Sequence, residues 1–416
     1  MKRTELFICA PLLIFSVILS CKTEPQHHDI PIAVWHGRQA VPVTRTELQY
    51  AHQAGFTICI LEQDNQRFNE NALALADSLG LQLILSDEKL KRFTLGLDST
   101  FYAVDSITKS YKRHSSFMGP LLFDKPGLDD FPGIIDLIDY FAVKHSDLTP
   151  FIQALPGYAS PARLDTSNYN DYLSLFVQKL KPRIIGVEHF GILKDGLRSE
   201  FFTNLDALRR QALKSGIPFW AFALVVPFNE YPEMVHSRIR CQLYSGLAYG
   251  ARGVQYFSLL PPKQNSSTYG DAILDDFGER TQTFWDARTI NAEIKKLGKT
   301  LLQLTSTAVA FSKPVPPGGN GFSPGLPIVK ISAPTMLAGF FRDKHKNNYV
   351  LLVNTDMNYG KLATITFDHD VKSIIEIPKG TMPPEEYVWP KNEMEKQAAL
   401  LFRAGDGRLF KIHKQD

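Results

Sequence analysis

Short apolar runs that alternate with longer amphipathic segments are the feature that most constrains how this chain can fold. Eight such runs occur between residues 31 and 304: Pro31–Trp35, Phe56–Leu61, Leu81–Leu85, Phe117–Phe123, Pro150–Leu155, Arg183–Val187, Pro218–Val225 and Gly253–Ser258. This alternation is typical of βα units built around a parallel sheet. Eight units in a stretch of this length predict an α/β fold, a (β/α)8 TIM barrel domain over residues 31–304.

The connecting segments carry helix signals. Thr44–Glu47 has the spacing of a capping box, in which a threonine hydroxyl and a glutamate carboxylate satisfy backbone donors at the start of a helix. The longest connection, residues 86–116, is larger than one helix needs. We therefore expect it to hold the third helix plus an excursion near the barrel mouth.

After residue 304 the pattern changes to strand-like runs without helical spacing. Tyr349–Asn354 and Ala363–Phe367 are two such runs, and residues 400–402 and 408–412 flank an Ala-Gly-Asp-Gly turn, as in a β-hairpin. We expect residues 305–416 to form a small all-β sandwich domain behind the barrel.

The first 20 residues have the pattern of a secretion leader. Two basic residues precede an apolar stretch from residue 6 to residue 19, which ends at Ser20 and Cys21. About 15 apolar residues fall short of the roughly 20 that a membrane-spanning helix needs. A signal peptide over residues 1–20 is therefore favoured over a transmembrane anchor.

The end of this leader also predicts a lipid anchor. Ile18-Leu19-Ser20-Cys21 resembles the bacterial lipobox, in which the cysteine is lipidated and becomes the new N-terminus. Several acyl chains, at about 0.8 kcal/mol per buried CH₂, hold a protein stably on a membrane. We expect lipidation of Cys21, a tether over residues 21–30, and an exported lipoprotein at the outer membrane or cell surface of a Gram-negative-type bacterium.

Charge and cysteine usage exclude several classes of function. The 46 basic and 43 acidic residues are spread along the chain and leave a net charge of +3, so we expect no nucleic-acid partner. Cys59 and Cys241 are the cysteines that remain beyond the lipobox, and their spacing suggests no metal site. No His-x-His, His-Glu-x-x-His or glycine-rich phosphate motif follows a strand. We expect no metal and no other cofactor, and the sequence identifies no protein partner.

The chemistry of an eightfold barrel lies just past the C-terminal ends of its strands. The polar and aromatic residues at those positions are Trp35, His36, Glu62, Asp87, Asp124, Lys125, Gln153, Glu188, His189, Glu230 and Tyr256. Strand alternation puts Ile184, Gly186 and Glu188 on one face. If that face points inward, the Glu188 carboxylate enters the pocket.

Some of these residues carry a resemblance to a known class of enzymes. The segment Asp124-Lys125-Pro126-Gly127, the pair Glu188-His189 and residues 248–257 resemble secreted (β/α)8 glycoside hydrolases of the retaining barrel clan, clan A type, without indicating a numbered family. The trailing sandwich is also similar. The resemblance implies a carbohydrate partner, an acid/base glutamate after the fourth strand and a nucleophile glutamate at the end of the seventh.

The sequence departs from that clan pattern at both catalytic positions. Lys125 stands at the acid/base position, and a lysine is cationic at neutral pH unless its pKa of about 10.4 is strongly lowered. The seventh strand ends in Ala223-Leu224-Val225, which offers no carboxylate. The usual carboxylate pair, about 5 Å apart for retention or 6.5 to 9.5 Å for inversion, is therefore not in its usual place.

Two functions follow, and the sequence leaves both open. The first is a membrane-anchored glycoside hydrolase with a relocated acid pair, in which Glu188 works with Asp124 or Glu230. The alternative is a non-catalytic glycan-binding lipoprotein that has kept the barrel and lost the chemistry. In either case the expected substrate-binding residues are Trp35, His36, Glu62, Asp87, Lys125, Gln153, His189, Glu230 and Tyr256. A barrel enzyme of another class is a weaker alternative.

Overall fold

The computed structural model of the protein describes residues 29–97, 100–263, 267–381, 383–390 and 393–415. The predicted signal peptide, the predicted lipidation site Cys21 and the predicted tether as far as residue 28 lie outside these described residues. Ile30, at the end of the expected tether, is fully buried in the barrel core. Within the described residues, no helix has both the length and the apolar character needed to span a membrane.

Eight parallel strands form the first part of the structure and confirm the predicted barrel. The strands up to residue 257 are β1 Ile32–Gln39, β2 Ile58–Glu62, β3 Gln82–Leu85, β4 Phe117–Asp124, β5 Phe151–Ala154, β6 Gly186–Val187, β7 Ile192–Leu193, β8 Gly196–Leu197, β9 Ala221–Leu224 and β10 Val254–Phe257. Strands β7 and β8 form a separate hairpin; the other eight are neighbours in the order β6, β5, β4, β3, β2, β1, β10, β9. A parallel bridge between Ile185 and Phe219 links β6 to β9 and closes the ring.

Helices cover the outside of this barrel. They are α1 Arg45–Gln53, α2 Gln66–Asp77, α3 Glu88–Thr94, α4 Phe101–Tyr111, α5 Phe131–Lys144, α6 Pro161–Leu164, α7 Tyr169–Leu180, α8 Phe201–Ser215, α9 His236–Ala248 and α10 Gln282–Leu301. The capping box of α1 is present: Glu47 N–H donates to Thr44 Oγ1 at 3.2 Å, and Thr44 N–H donates to Glu47 Oε2 at 2.8 Å. The long connection after β3 holds two helices, α3 and α4.

Side chains alternate along each strand between the barrel interior and the helix layer. The inward set forms one buried cluster: Ala33, Trp35, Ile58, Ile60, Ile84, Leu121, Phe151, Ile184 and Trp220. Their neighbours along the strands, such as Val34 and Ile185, pack against the helices. Because apolar side chains fill the interior, polar chemistry is concentrated where the strands end.

Two antiparallel sheets form the C-terminal part, as the predicted β-sandwich requires. Their strands are β11 Thr305–Phe311, β12 Ile328–Ile331, β13 Met336–Arg342, β14 Asn348–Asn354, β15 Lys361–Phe367, β16 Val371–Ile377, β17 Glu386–Val388, β18 Lys396–Phe402 and β19 Gly407–Lys414. One sheet has the order β11, β13, β14, β19, β16, β17, and the other has the order β12, β15, β18. Their facing sides enclose a second apolar core that includes Phe340, Ile365 and Leu400.

The predicted hairpin at the C-terminus is wrong in its pairing, although both strands and the turn exist. Strand β18 pairs with β15, whereas β19 pairs with β14 and β16 in the other sheet. The turn therefore carries the chain from one sheet to the other, as the corners of sandwiches do. A turn signal shows where a chain reverses, but burial on each face decides which strand each arm joins.

Candidate functional site

Three barrel strands bring acidic side chains to the mouth of the barrel. Glu62 is the last residue of β2, Asp124 is the last residue of β4, and Glu188 directly follows β6. Lys125 joins two of them, because its Nζ donates to Glu188 Oε1 at 2.9 Å and lies 3.2 Å from Asp124 Oδ2. Asp124, Lys125 and Glu188, here called the trio, form the centre of the candidate site.

The backbone at Lys125 has an uncommon conformation. Its φ is +61°, in the left-handed region that non-glycine residues seldom adopt. Its N–H donates to the Gln153 carbonyl at 2.7 Å, and the following carbonyl, that of Pro126, accepts from the Tyr172 hydroxyl at 2.8 Å. These bonds tie the segment to β5 and α7. Strained positions of this kind concentrate at functional sites.

Burial governs the protonation of the trio. It raises the pKa of Glu188 to about 7, against the opposing effect of the Lys125 ammonium. It also raises the pKa of Asp124, and Lys125 and Arg163 again oppose the shift. Burial alone would lower the pKa of Lys125, but Glu188 and Asp124 together hold it well above its ordinary value. Near neutral pH, Glu188 is therefore partly protonated and able to release a proton beside the Lys125 ammonium.

Glu62 contributes a further buried carboxyl group. Burial raises its pKa to about 7, and repulsion from Asp124 adds to the shift. Glu62 therefore senses the charge of Asp124 across the barrel mouth, without a hydrogen bond or ion pair to the trio among the described residues. Its Oε1 accepts from Gln39 Nε2 at 3.1 Å, while Asp64 pairs with Lys91 Nζ at 2.5 Å.

The geometry of the trio suits acid–base chemistry on a glycosidic bond. Asp124 and Glu188 contact the same ammonium nitrogen, so the contacting oxygens are at most about 6 Å apart, below the separation typical of inverting glycosidases. An acid with a pKa near neutrality can protonate a leaving group at ordinary pH. The Lys125 ammonium also favours the ionised form of whichever carboxyl group has lost its proton.

Three of the other predicted residues lie at different depths. Trp35 is part of the inner cluster, and Gln153 is a fully buried residue of β5 that pairs with Asp124 in the strand register. Both lie inside the barrel. Glu230 lies exposed at the turn between Phe228 and Tyr231, in the loop that follows β9. The structure shows no contact between Glu230 and the trio among the described residues.

His36 and Asp87 have structural partners. His36 Nε2 lies 3.4 Å from Glu47 Oε2, the carboxylate that also caps α1. Asp87 caps α3 by accepting from Lys89 N–H at 2.9 Å, and it accepts from the Tyr111 hydroxyl at 2.6 Å. Both residues are buried.

His189 and Tyr256 point into the helix layer. The His189 ring packs against Tyr158 and Phe201, and burial lowers its pKa to about 3, which keeps the imidazole neutral. Tyr256 is fully buried, and its hydroxyl donates to Asn291 Oδ1 at 2.7 Å. The structure therefore does not bring these two residues to the trio.

Two cations near the trio carried no signal in the sequence. Arg163 in α6 has its Nη2 3.4 Å from the Lys125 carbonyl, and its charge lowers the pKa values of Asp124 and Glu188. Lys91 in α3 lowers the pKa values of Glu62 and Asp124. Lys91 follows β3 and Arg163 follows β5, and no sequence motif fixes either spacing. Only the fold shows that both cations lie near the trio.

The structure offers no cation site in its described ranges, since no three His, Cys, Asp or Glu residues there converge in the way a metal ion needs. Cys59 and Cys241 are buried free thiols, and burial raises the pKa of each to about 12. Such thiols are poor nucleophiles at neutral pH.

Comparison with known proteins supports the fold at low sequence identity. No protein-family model matches the chain, and no curated protein matches it. A family 27 glycoside hydrolase, the β-L-arabinopyranosidase of Geobacillus stearothermophilus, aligns over 93% of this chain and 96% of its own, with 7% identity and a TM-score of 0.52. A variant of that enzyme, solved in complex with arabinose, aligns over 94% of this chain and 100% of its own, with 9% identity and a TM-score of 0.50.

A second structure has the same architecture. It is a Bacteroides fragilis protein provisionally described as an alpha-galactosidase/melibiase, which aligns over 93% of this chain and 79% of its own, with 9% identity and a TM-score of 0.52. The fold is thus one that glycoside hydrolases use, barrel and trailing sheets together. At these identities the likeness concerns the fold alone, and the clan A type assignment stays a prediction.

Proposed function

We propose that this protein is a glycoside hydrolase that acts on glycans or polysaccharide fragments with Glu188 and Asp124 as its acid pair. The observation that carries the proposal is the trio: two partly buried carboxylates, at the end of β4 and directly after β6, share one ammonium at the barrel mouth. The glycoside hydrolase fold of the neighbouring structures supports a carbohydrate as the partner. No step requires a cofactor.

Burial assigns the two roles. Glu188, whose side chain is 12% exposed and whose pKa is about 7, donates its proton to the glycosidic oxygen as the bond from that oxygen to the anomeric carbon breaks. Asp124, at 33% exposed, is the more hydrated of the two, and it serves as the ionised carboxylate that attacks the anomeric carbon. Water then releases the sugar, with Glu188 accepting the water proton.

A non-catalytic glycan-binding protein is the second candidate. The observation in its favour is that Lys125 already contacts one oxygen of each carboxylate. If the ammonium stays there when a glycan binds, both groups act as hydrogen-bonding partners only. This candidate predicts saturable sugar binding without cleavage.

Replacing Glu188 by Gln separates these functions. We expect hydrolysis of a panel of polysaccharides and aryl glycosides to fall by about 10² to 10⁴. In the unaltered protein, activity should fall as the pH rises through about 7, because the acid must be protonated to act. Glu395→Gln, an exposed carboxylate in the sandwich, is the matched control and should leave turnover unchanged.

Each result of that assay has a distinct meaning. Cleavage that Glu188→Gln abolishes supports the proposed acid pair. Equal cleavage by variant and unaltered protein removes Glu188 from the mechanism. Sugar binding without any cleavage supports the glycan-binding candidate, and the absence of both binding and cleavage contradicts both functions.

We also propose that the protein is exported and held at the outer membrane or cell surface by lipid on Cys21. The support is the lipobox in the sequence. Mass spectrometry of the mature N-terminus should find a diacylglycerol-modified Cys21 without the preceding residues. An intact leader, or an unmodified cysteine at the new terminus, would contradict the anchor.

A further inference from the structure

A chain of hydrogen-bonded side chains crosses the barrel interior below the trio. Trp35 Nε1 in β1 donates to Gln255 Oε1 in β10 at 3.0 Å. Gln255 Nε2 then lies 3.4 Å from Gln153 Oε1 in β5. All three residues are at most 3% exposed. Polar groups this deep in an apolar interior are expected to be fully hydrogen-bonded.

The three side chains of this hydrogen-bonded row donate in one direction, from Trp35 through Gln255 to Gln153. An indole N–H can only donate, so the oxygen of the Gln255 amide must face Trp35. The nitrogen of that amide therefore faces Gln153 and donates to its oxygen. This leaves Gln153 Nε2 as the terminal donor, and the orientation of its amide group is set by Trp35 at the other end of the chain.

This terminal donor and one acceptor of the trio are both unsatisfied. Gln153 Nε2 and Asp124 Oδ1 are buried and have no hydrogen-bond partner in the described part of the chain. Their residues are paired directly across β4 and β5. A buried polar group without a partner costs about 1–3 kcal/mol. A donor and an acceptor left open on adjacent strands are the partners that one small polar group between them would satisfy, either a buried water or a hydroxyl of a bound ligand.

Gly186 of β6 makes room for this arrangement. It pairs with Gln153 in the β5–β6 register, and a Cβ on it would lie 2.4 Å from Gln153 Oε1. Any larger residue would push the amide away. Glu188 follows two residues later on the same face of the chain. The open donor thus lies between the strands that carry the two carboxylates.

We infer that one hydroxyl of the bound sugar bridges these two atoms, donating to Asp124 Oδ1 and accepting from Gln153 Nε2. A hydroxyl is a group that donates and accepts at the same oxygen, as the pair requires. The inference rests on the proposed function and deepens it. Gln153 becomes a specificity-determining residue that selects sugars with this hydroxyl and discriminates against the corresponding deoxy sugars.

Calorimetric titration tests the bridge with galactose, arabinose, glucose, mannose and fucose, each beside its monodeoxy analogues. In Gln153→Met, which keeps the side-chain size and removes the amide, we expect the preferred sugar to bind about ten- to a hundredfold more weakly. One deoxy analogue, the one lacking the bridging hydroxyl, should bind the variant and the unaltered protein with the same low affinity. The other analogues should lose affinity as the parent sugar does.

Two further variants guard against a merely structural effect. Gln82→Met removes a glutamine at the start of β3, at the opposite end of the barrel from the trio, and it should leave all affinities unchanged. Gln255→Met frees the Gln153 amide to rotate, so it should give an intermediate loss confined to the same hydroxyl. Thermal denaturation of each variant confirms that the protein is folded.

The possible failures are distinguishable. Equal affinity of Gln153→Met and unaltered protein for the preferred sugar overturns the bridge and leaves the proposed function standing. A loss that is the same for the parent sugar and every deoxy analogue also overturns it, because it indicates a structural role. No binding of any of these sugars to the unaltered protein contradicts the proposed function and this inference with it.

Discussion

Lys125 is the residue on which the site's electrostatics depend. In Lys125→Met the Asp124 and Glu188 carboxyls lose their shared cation, so the pKa of Glu188 should rise above its value of about 7. The alkaline limb of the activity profile should move to higher pH by the same amount. Activity measured from pH 5 to pH 9 checks the shift.

Stability should respond to the same substitution in a pH-dependent way. When folding raises the pKa of a carboxyl group, the folded protein loses stability as the pH rises from the pKa of that group in the unfolded chain, near 4.5, to its pKa in the folded protein. Lys125→Met should therefore lower the melting temperature more at pH 8 than at pH 5. Lys112→Met, which breaks the surface pair with Asp147, is the control and should have little effect at either pH. An unshifted activity profile would contradict the role given to Lys125.

Individual side chains were predictable only where strand alternation decides their direction. Glu188 follows Gly186 on the inward face, and its placement beside the pocket could be anticipated from that spacing. Tyr256 and His189 also stand near strand ends, but they fall on the outward face and pack under the helices. To predict whether a side chain reaches the pocket, its place in the inward–outward alternation of the strand is therefore more useful than its distance from the end of the strand.

At the scale of elements, the eight apolar runs match the eight barrel strands to within a few residues. Local patterns suffice there because each strand pairs with neighbours that the barrel topology dictates. The sandwich differs, since β18 and β19 are adjacent in sequence but lie in different sheets. Short helices are equally hard to predict from sequence. Helix α6 has four residues, about one turn, which is too short to show a helical periodicity, yet it positions Arg163 beside Lys125.

At the scale of the whole molecule, the barrel and the sandwich are in close backbone contact along α9. A Cβ on Gly339 of β13 would lie 2.0 Å from the carbonyl oxygen of Ala248, at the end of α9. A Cβ on Gly405 would lie 2.0 Å from the carbonyl oxygen of Ser237, near its beginning. Backbones that approach this closely leave no space for a slipping or flexible junction.

A buried ionic network crosses the same junction. Arg240 of α9 pairs with Glu293 of α10 and lies 3.4 Å from Asp406, which lies in the turn between β18 and β19. Lys379, which follows β16, pairs with Asp406 as well. The network contains two residues from the barrel and two from the C-terminal part. Removing one partner of a buried ion pair leaves an uncompensated charge, which costs about 3–5 kcal/mol.

Replacing Arg240 by Met should therefore destabilise both parts of the molecule together. The helices of the described chain all belong to the barrel, so far-UV circular dichroism follows the barrel, while calorimetry records every transition. We expect one calorimetric transition in the unaltered protein and one transition at lower temperature in the variant, coincident with the loss of helix signal. Arg210→Met, which breaks an exposed pair with Asp206 on α8, should shift the transition little. Two separate transitions in the variant, with the helix signal lost at the original temperature, would show instead that the barrel is stable without the sandwich.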